Sequence, residues 1–233
     1  MNEYTNMTEY YDALMTSGYY NYDAIAKSLT TILQDRKKVL ELGVGTGLIA
    51  QKLLHYHPDC EFTGIDFTAS MLKKAKGRLP QNVQLLEQDV TTLELGSRFE
   101  AAFGNGGVWG FVNTGKEYIL VSHLTDIQDN IKGLRRVAEH LEEKALFIMS
   151  VQGVHQDFER ELPKQIVYSQ EIREKGDFIE KDYIFKKNGK VLATHRNRFR
   201  LFRGDSIREL LGSVGFKFQY IDSDDRFHVY IKA

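Results

Sequence analysis

One cysteine, Cys60, among 233 residues excludes an intrachain disulfide and any multi-cysteine metal site, and fits a reducing compartment. Only three prolines are present, too few to mark linkers, and there is no internal repeat or low-complexity stretch. Neither sign of charge dominates: 31 Lys and Arg face 32 Asp and Glu, and no like-charged run reaches five residues. The chain therefore lacks the electrostatic footprint of a nucleic-acid or anionic-membrane binder, which points to a small or neutral partner. Long apolar runs are missing too. The longest, residues 145–151, is interrupted by Ser150 and falls far short of the roughly 20 residues that span a bilayer. The opening MNEYTNM has neither a basic nor an apolar signal segment. These absences predict a soluble, cytoplasmic protein without a metal centre.

What is present suffices for one hydrophobic core. With 42% apolar residues, 12% of the chain aromatic, against 27% charged, burial can offset chain entropy, and the length suits a single domain. Short apolar runs alternate with amphipathic stretches: VLEL (39–42), LIAQKLLHY (48–56), FTGID (62–66), SMLKKAKGRL (70–79), VQLLEQD (83–89) and FEAAFGN (99–105). Strands that short and that continuously apolar predict a parallel sheet covered by helices on both faces. A helix over about 122–140 then leads to the run ALFIMSV. After Gly153 the texture changes to alternating segments, 165–173, 178–186 and 190–202, joined by Lys175-Gly176-Asp177 and by Asn188-Gly189, a two-residue hairpin signal. They predict a three-stranded antiparallel insert at 157–203. The tail, 204–233, predicts one helix and two closing strands. The tyrosine-rich residues 1–34 predict two short helices forming a lid against the front of the 35–153 core.

The strongest chemical signal is VLELGVGTG (39–47), a strand running into a glycine-punctuated turn and a helix. Glycines permit close backbone approach to a ligand, and the helix N-terminus offers unpaired N–H groups. The spacing is G-x-G-x-G at Gly43, Gly45 and Gly47, with Glu41 two residues ahead, which argues against a nicotinamide site. Together with Gly64-Ile65-Asp66, the S-M-L-K-x-A stretch from Ser70 to Ala75, and Gln88-Asp89, this resembles the class I S-adenosylmethionine-dependent methyltransferases. The match covers roughly residues 35–152. It implies a Rossmann-like α/β sheet, mostly parallel with an antiparallel last strand, and S-adenosyl-L-methionine as cofactor.

By that resemblance the 43–47 turn faces the methionyl part of the cofactor and Asp66 bonds the ribose hydroxyls. Phe67 and Met71 sandwich the adenine, Asp89 and the backbone of Val90 read its edge, and Asn105 holds the amino group, chiefly through its carbonyl. An acceptor-only carboxylate at a strand's C-terminal end agrees with the role of Asp66 independently, although such an aspartate also caps helices. The N-terminal Tyr10-Tyr11-Asp12, the β-insert and the ending F-R-x-x-x-I-R-E-L-L-x-x-x-G-F resemble small-molecule N-methyltransferases, including those that dimethylate amino groups of nucleotide-linked sugars. Related enzymes methylate oxygen. The loop holding Trp109 and Phe111 departs from the sugar enzymes that carry a histidine there, and suggests a flatter or more apolar acceptor.

Methyl transfer from a sulfonium gains most from alignment and dryness; only deprotonation of the acceptor calls for a base. Two histidines are candidates. His195 lies on the less charged face of 190–202 with Asn197, where both can meet substrate; His123 precedes a helix near the pocket mouth. For each the alternative is a hydrogen-bonded structural histidine. His155 is a weaker candidate, and His55, His57, His140 and His228 are read as surface or core. Among the N-terminal tyrosines, Tyr11 and Tyr20 are the ones expected to reach the cofactor or substrate. An RNA or protein acceptor and a non-catalytic binding module are the competing classes. Exposed insert strands leave a homodimer open.

Overall fold

The computed structural model describes residues 4–233; residues 1–3, the start of the expected lid, lie outside the described residues. Two helices, α1 (Thr8–Leu14) and α2 (Tyr22–Leu33), precede the core. The core then runs β1 (Lys38–Leu42), α3 (Leu48–Tyr56), β2 (Glu61–Asp66), α4 (Ala69–Arg78), β3 (Gln84–Glu87) and β4 (Phe99–Gly104). Strand β1 is central because four of its five residues are buried, a pattern that only a sheet covered on both faces accepts. It pairs in parallel with β2 on one side and β4 on the other, and β3 extends the sheet beyond β2.

The next stretch departs from the sequence reading. Trp109 begins a hairpin, β5 (Trp109–Asn113) and β6 (Tyr118–Ser122), and the following helix α5 (Ile127–Glu139) starts later than expected. Ser122 is held in the sheet opposite Trp109 and Arg200. Asp126 caps α5, its carboxylate accepting from the N–H groups of Gln128 at 2.7 Å and Asp129 at 3.2 Å. Strand β7 (Leu141–Gly153) then runs parallel to β4, and its last three residues also run parallel to β5.

The insert comprises β8 (Phe158–Leu162), β9 (Ile166–Lys175), β10 (Phe178–Lys187) and β11 (Lys190–Phe202). The three expected strands are present, joined by β8 at the edge and by the β5–β6 hairpin through β11, so the antiparallel sheet runs β5-β6-β11-β10-β9-β8. Strand β8 is short and charged, with little alternation for periodicity to detect. Asn188 and Gly189 both take positive φ, 50° and 75°, as their two-residue turn requires. Helix α6 (Asp205–Gly212), β12 (Phe216–Ile221) and β13 (Phe227–Lys232) close the chain. Strand β13 lies antiparallel between β7 and β12.

Two apolar layers sandwich the parallel sheet. One, with Leu29, Leu53 and Phe103, lies under α2, α3 and α4; the other, with Leu134, Phe147 and Leu211, lies under α5 and α6. A third cluster docks the N-terminal segment on the antiparallel sheet through Met7, Leu14, Tyr168 and Phe185. The lid therefore bridges both sheets across the C-terminal ends of β1, β2 and β4, where open α/β sheets bind ligands. No helix among the described residues is long and apolar enough to cross a membrane, and no cluster of three or more metal-ligating side chains forms among them.

Candidate active site

The turn after β1 is drawn tight against the loop after β4. A Cβ on Gly107 would lie 2.2 Å from the Leu42 carbonyl oxygen, and one on Gly43 would lie 2.9 Å from the Gly107 Cα, so only glycines allow this crossing. Asp66, at the end of β2, ties the turn in place. Its Oδ2 accepts from the Gly45 N–H at 2.9 Å and its Oδ1 from the Thr68 N–H at 2.8 Å. It thus braces the turn ahead of α4 and lines a cavity at the same time. Burial raises its pKa while the N–H bonds oppose the shift.

Three spaces adjoin the crossing of this turn with the loop after β4. The first, of about 60 Å³, is bounded by Gly43, Gly45, Asp66, Phe67, Met71 and Val90. A small second space meets Tyr11, Tyr20, Tyr22, Glu41 and Asn105. Glu41 is buried, its Oε2 has no hydrogen-bond partner among the described residues, and burial pushes its pKa well above the usual carboxylate range, with Asp66 adding to the shift. The third space, of about 150 Å³, lies under the antiparallel sheet, walled by apolar groups such as Phe111, Ile179 and Phe199.

The first and third spaces share Tyr4, Tyr11, Gly106, Gly107 and His123. His123 packs edge-on against Phe199, ring centroids 4.6 Å apart. Burial, then the charges of His195 and Lys181, depress its pKa to about 3, so it is neutral in ordinary buffers. The lid is latched over this junction. Asp12 on α1 accepts from Thr46 Oγ1 at 2.6 Å, in the glycine turn, and pairs with Arg78 of α4 at 2.8 Å.

Other expected site residues lie elsewhere. Trp109 does not reach the cavity; β5 turns it into the core, where its indole N–H donates to Asn130 Oδ1 at 2.8 Å. The insert face holding His195 and Asn197 is buried as the alternation predicts, but Tyr4 packs over it. His195 packs at a tilt against Tyr4, ring centroids 4.9 Å apart, and Asn197 Nδ2 donates to the Tyr4 hydroxyl at 2.7 Å. They position a tyrosine that lines the cavity, and neither lines it themselves. Gly47 caps α3 and packs against Leu79, and it lines none of the three spaces. Asp89 turns one oxygen onto Thr91, accepting from its N–H at 2.8 Å and its hydroxyl at 2.9 Å, while its neighbours Gln88 and Val90 line the first space.

Tyr4 and Lys181 are among the lining residues that the sequence reading did not single out. Lys181 carried a usable signal: it is the one charge on the face Ile179, Lys181, Tyr183, Phe185 of an alternating strand. Tyr4 carried none, because nothing local fixes which tyrosine of the lid meets the crevice.

Residues 39–144 match the family model described as a methyltransferase domain. The stretch from β1 into β7 is thus similar to a methyltransferase domain. Over 91 residues the chain is 33% identical to the malonyl-(acyl-carrier protein) O-methyltransferase of Bacillus anthracis, covering 38% of this chain and 34% of that protein. The chain spans only 14% to 38% of the length of the first curated relatives it matches. Among solved structures, the methyltransferase fold extends over nearly the whole chain. An S-adenosylmethionine-bound amino pentose methyltransferase of Micromonospora echinaspora superposes with TM-score 0.71 at 14% identity, covering 96% of both chains. A sugar N-methyltransferase of Streptoalloteichus sp. superposes with TM-score 0.72 at 15% identity, covering 95% of this chain and 92% of that one. At such identities the likeness speaks for the fold alone, a Rossmann-like class I methyltransferase fold with an antiparallel cap.

Proposed function

We propose that this chain is an S-adenosylmethionine-dependent enzyme that methylates an amine nitrogen of a small metabolite. The observation that carries the reading is the junction of two cavities at His123, Tyr4 and Tyr11, one bounded by the glycine turn and one by the cap. S-adenosylmethionine, when bound, supplies an electrophilic methyl group on a sulfonium. The chain's residues fit that molecule. The unpaired Glu41 Oε2 is an acceptor for its ammonium, and the tight Gly43–Gly107 crossing leaves backbone at the ligand's surface. In this reading Asp66 takes the ribose hydroxyls, Phe67 and Met71 flank the adenine, and Asp89 with the Val90 backbone meets its edge. Asn105, Tyr11 and Tyr20 attend the amino-acid end.

The acceptor then lies in the capped cavity. His123 is neutral, so it offers a lone pair to the acceptor's N–H and adds no positive charge beside a sulfonium. That contact aims the amine lone pair, while Tyr4 and Tyr11 keep water out. Alignment of this kind contributes on the order of 7–11 kcal/mol in favourable systems, which makes a strong base unnecessary. The resemblance to sugar N-methyltransferases supports nitrogen as the target. The curated relatives named as O-methyltransferases favour oxygen as the second reading. A macromolecular acceptor suits neither the small, roofed cavity nor the net charge of −1.

The test is a titration with S-adenosylhomocysteine, followed by mass spectrometry of metabolite pools incubated with methyl-labelled cofactor. Saturable binding and label on an amine nitrogen are expected. Absence of cofactor binding overturns the enzyme reading, and label on oxygen overturns the choice of nucleophile.

A further inference from the structure

Lys181 is a lysine set into an aromatic wall. It lies on β10, its residue only 2% exposed, and lines the capped cavity. Its ammonium sits over the Tyr183 ring, 4.5 Å from the centroid. Its two hydrogen-bond partners among the described residues are neutral: the Tyr19 hydroxyl at 2.9 Å and His155 Nδ1 at 3.1 Å. His155 in turn reaches Gln152 Oε1 through Nε2 at 2.8 Å. An amide oxygen only accepts, so His155 carries its proton on Nε2 and its Nδ1 accepts from the ammonium. The relay therefore runs outward from Lys181 with every donor direction assigned. It spends two of the three ammonium N–H bonds and leaves the Tyr19 O–H as a second donor beside the third.

A buried cation ordinarily has a carboxylate partner, since desolvation is otherwise uncompensated. No acidic side chain among the described residues lies within ion-pair distance of Lys181, although other cap cations are paired: Arg173 and Arg196 with Asp182, and Lys175 with Glu180. Burial alone lowers the Lys181 pKa to about 7. No described residue neutralises its charged form, and the cavity it lines is where a counter-ion can enter.

We infer that Lys181 and the Tyr19 hydroxyl form a subsite for a carboxylate on the methyl acceptor, so that the substrate is a small amino acid-like molecule carrying both an amine and a carboxylate. The inference rests on the methyl-transfer reading above and narrows its substrate class. One ammonium and one hydroxyl match a monoanion. A phosphate dianion asks for more donors than this wall presents, and Arg203, the other cation on the cavity, lies in the turn just past the end of β11. The apolar side chains between the cation and the junction at His123 suit a hydrocarbon body joining the two polar ends.

The test compares two probes of equal shape, 3-phenylpropionate and 3-phenylpropionamide, by calorimetry at pH 6, with S-adenosylhomocysteine titrated into the same proteins. Wild type should bind the acid about tenfold or more tightly than the amide, the scale of a charge-assisted hydrogen bond. Lys181→Met should abolish the ratio, and Lys181→Arg should restore part of it. Met replaces a buried charge with an apolar chain of similar length, so the variant is expected to fold, and unchanged S-adenosylhomocysteine affinity verifies that it has. Equal binding of acid and amide by wild type, a ratio that survives in Lys181→Met, or no binding of either probe at millimolar concentration overturns the subsite. Loss of S-adenosylhomocysteine binding by wild type overturns the methyltransferase reading instead, whatever the acid-to-amide ratio.

Discussion

A carboxylate buried at the end of a central strand destabilises the chain that carries it unless something answers its charge. Glu41 is in that position. Because its folded pKa is raised, the stability it contributes is present at acid pH, below the unfolded value, and is lost as pH rises through the folded one. Glu41→Gln should therefore raise the thermal midpoint at pH 8, by about 2–4 °C for each kcal/mol relieved in a chain this size, and the gain should vanish near pH 4. The same change should weaken S-adenosylhomocysteine binding about tenfold or more. Thermal melts at the two pH values and one titration check both halves; a Gln variant that binds normally removes Glu41 from the site. Legibility at this scale was uneven. Glu41, Asp66 and the glycines stand in one local motif, so spacing exposes them. His195 and Asn197 were placed on the correct face of their strand, but a face says nothing of what lies over it, and Tyr4, some 190 residues away in sequence, lies there.

Among the elements, α1 does most to decide whether the crevice is closed. It is only seven residues long, too short to be helical on its own, and is held by what it touches. Asp12 fastens it to the glycine turn and to α4 through Thr46 and Arg78, and Leu14 and Met15 anchor it on the antiparallel sheet. Asp12→Ala removes a partly buried ion pair and a hydroxyl bond, at a cost of about 1–3 kcal/mol. Hydrogen exchange should then accelerate in α1 and the glycine turn, while amides of β1 and β4 keep their protection. Unchanged exchange in α1 would show that apolar docking alone holds the lid. Elements of the core were readable because parallel strands buried on both faces announce themselves as apolar runs. The β5–β6 hairpin was not, since its glycines and lysine resemble a loop until pairing with β7 and β11 orders them.

The whole molecule stores several histidines in places that refuse a proton. Burial depresses His123 and His155 to about 3 and His228 to about 4, against about 6.5 in an unfolded chain. For a depressed base the unfolded state gains protons first, so stability is intact above about pH 6.5 and falls as pH drops below it, by about 1.4 kcal/mol per unit for each such group. Glu41 and Asp66, with raised pKa values, act in the opposite direction and soften the loss. The thermal midpoint should still decline between pH 6.5 and 5. His228→Phe should flatten that decline, since His228 stacks on Phe111 at 3.9 Å with neither ring nitrogen partnered among the described residues. A profile already flat in wild type would reject the assignment.

The amino-acid sequence by itself determined the parallel core, the glycine turn and the carboxylates at its strand ends, because each is written within a few consecutive residues and obeys local geometry. It also determined the antiparallel cap as a kind of structure, through period-two alternation and the Asn188-Gly189 turn. Only the tertiary structure decided how large the cap is and which groups face the acceptor cavity. That cavity is assembled from the lid, the loop after β4, the end of β6 and strand β10, and contacts between segments so far apart follow from how whole faces pack, which no short pattern encodes.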